Sequence, residues 1–373
     1  MSDEPFKIPA PRENPELVGH EWAERQFLGI RESGRMPHAW LITGPRGIGK
    51  ATFAYRAARY LLANPQGAGD AVSGPGLFGE PEAPAAPENL YVAPDHPVFR
   101  RTAAGGHADL LTVQRGVNPD NDRMRTEITV SEVHAAGAFL RLTAAEGGWR
   151  AVVVDSADEL NATAANALLK FLEEPPSRVI LLLVSHVPGR LLPTIRSRCS
   201  RLNLRPLAED AVLAILARHR PVLTDEDRLG LARLAEGSPG RALALAEEGG
   251  LELYREMIAL FAALPRIDGP ELHGFGDRLA RSGQEGSFRI VCELMGWWIA
   301  RMIKAGAQGQ GAAPVVPEEA GFQARLLAAA GLDRWMEVWE KITRLADRTD
   351  RLNLDRKQSV LTMFHALQRA MSG

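Results

Sequence analysis

Four short apolar segments, separated by stretches with helical spacing, stand out in the first part of the sequence. They are HAWLITG (38–44), ADLLTVQ (108–114), WRAVVVD (149–155) and RVILLLVS (178–185). Runs rich in Val, Ile and Leu are typical of strands that are covered on both faces, and strands that alternate with helices form parallel sheets. The sequence therefore predicts an α/β domain built on a parallel sheet.

The first of these segments leads directly into a glycine-rich stretch, GPRGIGKAT (44–52), and a segment with helical spacing follows. In a strand–turn–helix of this kind, backbone N–H groups, the positive end of the helix and a lysine bind phosphate groups. The residues of this motif are Gly44, Gly47, Gly49, Lys50, Ala51 and Thr52. The sequence therefore predicts a nucleotide-binding loop (P-loop).

Two positions of this predicted site lack the groups that hydrolysis requires. Ala51 stands where a hydroxyl normally binds Mg²⁺, and the hydroxyl of Thr52 is rotated by about 100° from that position on a helix. Asp155 ends the third apolar segment, where the second ligand of the metal is expected (the Walker B position), but Ser156 follows it instead of a glutamate that polarises water. We expect a degenerate site that binds nucleotide weakly, if at all, and hydrolyses it poorly.

The strand pattern ends near Pro206, and helical spacing continues to the C-terminus. This change predicts an α/β domain over 1–206, a small helical domain over 207–250 and an all-helical domain over 251–373. Residues 64–88 are dense in Gly, Pro and Ala, which predicts a flexible surface insertion in the first domain.

Composition narrows the class of protein. A net charge of -2 argues against an independently strong, nonspecific nucleic-acid binder, although not against a subunit that touches DNA in a larger assembly. Cys199 and Cys292 are too far apart to indicate a zinc site or a disulfide framework, so we expect both to be reduced and buried.

The N-terminal stretch lacks the apolar core of a signal peptide, and the apolar runs are too short to span a bilayer, which favours a cytoplasmic protein without a membrane partner.

Three stretches together resemble the AAA+ clamp-loader subunits of bacterial DNA polymerase III. They are HAWLITGPRGIGKAT (38–52), VVVDSADELNATAANALLKFLEEPPSRVILLLVSH (152–186) and LLPTIRSRC (191–199). Within them, NALLKFLEEPP and SRC are specific to that family. The degenerate loop, the missing glutamate and GSPGRAL (237–243) resemble its delta-prime branch more than its hydrolysing gamma/tau branch.

The resemblance implies a RecA-like AAA+ domain, a helical lid and a C-terminal collar that assembles the subunits into a ring. It also implies that Arg198 acts in trans as an arginine finger at the ATP site of a neighbouring subunit. Arg196 is a second candidate for the same interface, and the alternative for Arg198 is a surface arginine in a loop. The implied partners are the other clamp-loader subunits (gamma/tau and delta), the sliding clamp and primer–template DNA.

The sequence departs from the family at three places. Many relatives carry a four-cysteine zinc module, but residues 64–107 contain no cysteine, so we expect no zinc and no required cofactor. Active relatives place an arginine of the lid where this chain has Gly240, with Arg241 one residue later, which puts sensing of the γ-phosphate in doubt. Ser185 stands at the sensor 1 position, where it either bonds a phosphate or simply ends a buried strand.

Other interpretations remain open at this point. In an active gamma/tau-like ATPase, Thr52 and Asp158 would replace the missing groups, whereas we expect Asp158 and Glu159 to point away from the site. A small-molecule kinase would need an acceptor site and an arginine-rich lid, and the SRC segment argues against it. Trp297, Trp298, Trp335 and Trp339 form either a base-stacking surface or, as their helical spacing favours, collar core and subunit interface.

Overall fold

The computed structural model describes residues 9–65, 87–118, 122–309, 313–319 and 321–372. The chain forms two compact units. The first reaches Val212 and also contains Gly237–Gly240, and the second comprises Leu213–Glu236 and Arg241–Gly373.

The first unit contains both helices and strands, as predicted. In chain order they are α1 (Glu21–Glu32), β1 (Ala39–Thr43), α2 (Lys50–Ala63), α3 (Pro97–Ala103), β2 (Leu110–Val113), β3 (Val117–Asn118), β4 (Arg123–Met124), α4 (Val130–Arg141), β5 (Arg150–Val154), α5 (Ala162–Glu173), β6 (Val179–Ser185), α6 (Pro193–Arg198), β7 (Ser200–Asn203) and α7 (Glu209–His219), whose second half belongs to the second unit.

Five of these strands form one parallel sheet in the order β2-β5-β6-β1-β7. The prediction of a parallel α/β domain is therefore confirmed. Thr43 at the end of β1 lies opposite Ser185 at the end of β6, so the segments that follow these strands leave the sheet at the same edge. Ligands of open α/β sheets bind at this carboxyl edge, and both the glycine-rich loop and Asp155 lie there.

Both faces of the sheet are covered where its strands are apolar, above all in β1, β5 and β6. Leu41 belongs to a buried cluster to which α4, α5 and α6 contribute. On the other face, the ring of Trp40 lies 5.1 Å from that of Phe27 in α1, and Phe27 lies 6.1 Å from Phe53 in α2. The helix that follows the glycine-rich loop is thus fixed to the sheet by aromatic packing.

A buried ion pair joins α1 to α2. Arg56 Nε donates to Glu24 Oε1 over 2.7 Å, and both side chains are nearly inaccessible to solvent. Arg56 also donates to the carbonyl of Pro15, and Glu24 accepts from the backbone N–H of Leu90. The pair therefore connects the N-terminal segment and the residues around Leu90 to α2.

Several details differ from the sequence-based expectations. Pro193 begins the helix α6, which is compatible with proline because the first N–H groups of a helix have no intrahelical acceptor. The antiparallel pair β3–β4 was not predicted, and residues 119–121 between its strands lie outside the described part. Residues 66–86 of the predicted insertion also lie outside it, and the short helix α3 was not predicted.

The second unit is helical throughout its described residues. Its helices are α8 (Asp225–Ala235), α9 (Pro239–Glu247, which begins in the first unit), α10 (Gly250–Ala262), α11 (Gly269–Ala280), α12 (Glu285–Ala307), α13 (Phe322–Ala329), α14 (Leu332–Leu352) and α15 (Arg356–Ser372). Among the described residues, three α-helices follow α12. Because α8 and α10 belong to one compact unit, the separation of a lid at 207–250 from a collar at 251–373 stays a prediction.

The four tryptophans of this unit do not form one exposed surface. Trp298 and Trp335 are fully buried, and Trp298 stacks on Phe322 at 5.6 Å. Trp297 is half-buried, and Trp339 is 36% exposed with its indole N–H donating to Gly296. Two of the four are therefore core residues. Across the described ranges, no helix is both long enough and apolar enough for a membrane crossing.

The ion pair between Glu24 and Arg56 gives a test of how α2 is held. We expect Glu24→Ala to lower the free energy of unfolding by about 3–5 kcal/mol, because it leaves a buried guanidinium without its carboxylate. Glu32→Ala, an exposed substitution in the same helix, is the control and should change stability by less than about 0.5 kcal/mol. Urea unfolding monitored by fluorescence measures both. Equal effects of the two substitutions would contradict a structural role of the pair.

Candidate functional site

The glycine-rich loop has the backbone of a phosphate-binding loop. Gly44, Gly47 and Gly49 all have positive φ angles, of 141°, 78° and 102°. Gly44 has a further constraint, because a Cβ atom added there would lie 2.5 Å from the carbonyl oxygen of Leu204. No residue with a side chain fits this position, so the turn requires glycine.

Lys50 is the first residue of α2, and its side chain folds back over the loop. Its Nζ donates to the carbonyl oxygens of Gly44 (2.8 Å) and Pro45 (2.5 Å), and only 3% of the residue is exposed. Burial lowers the pKa of Lys50 to about 8, although Asp158 and Asp155 act in the opposite direction. The loop carbonyls thus accept two of the three N–H bonds of the ammonium group.

Two carboxylates approach this lysine from the end of β5. Burial raises the pKa of Asp155, and Lys50 opposes that effect. Asp158 accepts hydrogen bonds from the backbone N–H groups of His186 (2.9 Å) and Val187 (3.2 Å). Burial acts to raise its pKa, but these bonds outweigh it and hold the pKa below its usual value. The expectation that Asp158 points away from the site is therefore wrong.

Glu159, in contrast, points elsewhere as expected. Its carboxylate pairs with Arg115 at 2.9 Å. Of the two acids that follow Ser156, one thus belongs to the site and the other to a surface ion pair.

Ser156 takes part in a contact that sequence reasoning missed. It has a left-handed backbone conformation (φ 63°), and its hydroxyl lies 3.2 Å from His186 Nε2. Burial and the nearby Lys50 lower the pKa of His186. This Ser–His contact therefore joins the segments that follow β5 and β6.

Ser185, the predicted sensor 1, is completely buried at the end of β6. Its hydroxyl is close enough to Asp158 to help lower the pKa of that carboxyl, yet it makes no hydrogen bond of good geometry within the described residues. Thr52 and Ala51 lie in the first turn of α2, and Thr52 is buried.

Residues 237–240 contact the backbone of the loop at two points within the first unit. Ser238 Oγ donates to the carbonyl of Arg46 (2.8 Å), and the N–H of Gly240 donates to the carbonyl of Gly47 (2.9 Å). A Cβ atom at Gly240 would lie only 2.9 Å from that carbonyl oxygen. The arginine of active relatives thus has no room at this position, and Arg241 pairs with Glu293 in the second unit (2.9 Å).

The N-terminal segment covers the other end of the loop. His20 Nε2 lies 2.7 Å from the carbonyl oxygen of Ile48, and His20 is buried. A carbonyl only accepts, so this nitrogen carries the proton, and burial lowers the pKa of the ring. The contact of His20 with the loop was not predictable from a local sequence pattern, because the two residues are 28 positions apart.

Arg198 is the last residue of α6 and is exposed, rather than lying in a loop. Its Nη2 pairs with Glu173 Oε1 at 2.9 Å, and its Nη1 donates to the carbonyl of Thr194 at 3.1 Å. Arg196 is half-buried in the same helix. Cys199 and Cys292 are free and buried, as predicted, and burial raises the pKa of each thiol to about 12.

Comparison with known proteins gives the family context of this site. The sequence model of a family described as "DNA polymerase III, delta subunit" matches residues 92–208. The DNA polymerase III subunit delta' of Pseudomonas aeruginosa is 32% identical over 240 residues, which cover 64% of this chain and 65% of the relative. The subunit delta' of Escherichia coli is 33% identical, with 61% of this chain and 60% of the relative covered.

The chain is thus similar to the delta' subunits of DNA polymerase III. Similarity to the gamma/tau branch is lower, at 28% identity to the Mycobacterium bovis subunit over 62% of this chain and 36% of that relative. The chain spans less than two thirds of the length of the delta-prime relatives. The family match at 92–208 contains Asp155, Ser156, Ser185 and Arg198, whereas the P-loop lies before it.

The lysine of the delta-prime-like P-loop gives a test of the geometry. We expect one lysine ¹³Cε resonance to titrate with a midpoint of about 8 and to be absent from Lys50→Met. The native pKa lies below the unfolded value of 10.5, so the cost of burying the charge is fully present below pH 8 and is relieved as the pH rises to 10.5. An NMR titration in which every lysine keeps a midpoint above 10 would show that the ammonium is not buried among the loop carbonyls.

Proposed function

We propose that the chain is a delta-prime-type subunit of a DNA polymerase III clamp loader. It hydrolyses ATP poorly itself, donates Arg198 in trans to the ATP site of a neighbouring subunit, and helps to load the sliding clamp onto primed DNA. The observation that carries the proposal is the P-loop site, in which Ala51 and the Ser156–His186 pair replace the metal-binding hydroxyl and the water-polarising carboxylate.

The residues present fit a nucleotide only in part. The glycine backbone and Lys50 suit phosphate groups, provided that Lys50 exchanges its loop carbonyls for phosphate oxygens. For Mg²⁺, Ala51 offers no oxygen, which leaves Asp155 without the second protein ligand used by P-loop enzymes. Weak binding of ATP or ADP without efficient hydrolysis follows from this donor set.

The alternative is an active gamma/tau-like ATPase, and the position of Asp158 favours it most. This carboxylate lies near Lys50, where a replacement for the missing glutamate would be needed. However, it already accepts two backbone N–H groups, from His186 and Val187, and its pKa is lowered. A general base that is stabilised in this way is a poor proton acceptor, so we favour the delta-prime type.

The remaining parts of the proposal rest on the relatives. We assign a lid to 207–250 and a collar to 251–373, with gamma/tau and delta subunits, the sliding clamp and primer–template DNA as partners in the cytoplasm. No zinc ion or other cofactor is required, because residues 64–107 lack the cysteines of the zinc module.

The first prediction from this proposal concerns the isolated chain. Its ATP turnover should be far below that of ordinary enzymes, for which about 1–1000 per second is typical. A coupled assay of the purified chain measures the rate, with Lys50→Ala as the background control. Turnover near 1 per second that Lys50→Ala abolishes would favour the gamma/tau alternative.

The second prediction concerns Arg198. In the reconstituted complex, Arg198→Ala should reduce clamp- and DNA-stimulated hydrolysis only partially, because only the site that faces this subunit loses a factor of about 10³–10⁵. Clamp loading should fall further, and assembly should be unchanged. Arg198→Lys should not rescue either activity, because an ammonium lacks the planar fork that matches phosphate oxygens.

The matched control is Arg201→Ala, which removes an exposed arginine from β7 three residues away. Size-exclusion chromatography verifies assembly of each complex before its rates are measured. Loading at the wild-type rate by an assembled Arg198→Ala complex refutes the trans role.

A further inference from the structure

Two stretches that are far apart in the sequence contact each other through the side chain of Arg198. Glu173, from the LEEPP stretch, is the last residue of α5, and Arg198, from the SRC stretch, is the last residue of α6. Their side chains form an ion pair of 2.9 Å at the surface. The ends of two packed helices are therefore joined by an ion pair at the surface.

The stability of α5 does not explain why a carboxylate stands at position 173. A carboxylate in the last turn of a helix faces the negative end of the helix dipole, which is unfavourable. Glu174, the next residue, is equally exposed, yet the described contacts give its side chain no partner, whereas Glu173 pairs with Arg198. The pairing offers a physical reason for an acid at this position.

The contacts of Arg198 fix its guanidinium and still leave donors available. Glu173 takes a hydrogen from Nη2, and the carbonyl of Thr194 takes one from Nη1. A guanidinium has five N–H donors, so Nε and the second hydrogens of both Nη atoms remain for an anion. A long side chain that is already held at two points loses less rotamer freedom when it binds that anion.

We propose that Glu173 is a positioning residue for Arg198 and holds the guanidinium in the orientation in which it meets a phosphoryl group of the neighbouring subunit. This inference rests on the trans role of Arg198 under the proposed function. Glu173 touches neither nucleotide nor metal and acts only through the arginine.

The expected size of the effect follows from the exposure of the pair. The side chains are 37% and 49% exposed, and exposed ion pairs typically change an equilibrium by up to about fivefold. We therefore expect Glu173→Ala to lower the maximal DNA-stimulated ATPase rate of the complex roughly two- to fivefold. Glu173→Gln, which keeps an acceptor but not the charge, should lie between Glu173→Ala and wild type.

Glu174→Ala is the matched control, since it removes the same charge from the adjacent position. It separates loss of the ion pair from a general change of the electrostatic field near the ATP site. All variants are measured in the reconstituted complex with sliding clamp and primed DNA, after assembly and thermal stability have been determined. A purely structural role would change assembly or stability, whereas a positioning role lowers the maximal rate at unchanged KM for ATP.

Comparison of the single and double variants distinguishes failure of this inference from failure of the proposed function. With alanine at position 198, the second substitution Glu173→Ala should have no further effect. If Arg198→Ala itself changes nothing, the trans role fails. If Arg198→Ala lowers the rate but Glu173→Ala matches Glu174→Ala or raises the rate, the trans role stands and the positioning role of Glu173 is overturned.

Discussion

The ammonium of Lys50, held by the carbonyls of Gly44 and Pro45, is the interaction on which the arrangement around the loop depends. It closes the turn on itself, and other segments then pack on the closed loop: His20 at the carbonyl of Ile48, and Ser238 at that of Arg46. These bonds satisfy backbone carbonyls of a loop in which Ile48 and Lys50 are buried, whereas Pro45 and Arg46 are exposed. The loop is therefore the segment on which the other segments at the carboxyl edge of the sheet pack.

Local patterns predicted the elements of the α/β domain but not the contacts between them. The apolar runs identified β1, β2, β5 and β6 because burial on both faces leaves a signature within a few consecutive residues. The missing groups at Ala51 and Ser156 were equally visible, since a motif is also local. The bond from Ser156 to His186 spans 30 positions and the one from Ser238 to Arg46 spans 192, and no periodicity encodes such pairs.

The error over Asp158 has the same origin. Because Asp158 lies several residues after Asp155, it was expected to point away from the site. However, a short 3₁₀ helix at Ala157–Glu159 returns the chain toward the site. The backbone N–H groups after β6 then capture the carboxylate of Asp158. Similarly, a loop was one of the two interpretations of the segment around Arg198, whereas Pro193 begins α6 and so places Arg198 at a helix end.

Retention of the P-loop backbone and display of Arg198 are linked through the edge of the sheet. Gly44 lies so close to the carbonyl of Leu204 that only glycine fits, and the N–H of Leu204 donates to Thr43 at 2.8 Å. Leu204 directly follows β7, and β7 follows α6, whose last residue is Arg198. A change in the glycine turn would therefore disturb the strand that anchors α6, whereas exchange of the hydroxyl at 51 or the carboxylate at 156 leaves the turn intact. Packing against Leu204 therefore requires glycine at position 44 independently of any chemistry at positions 51 and 156.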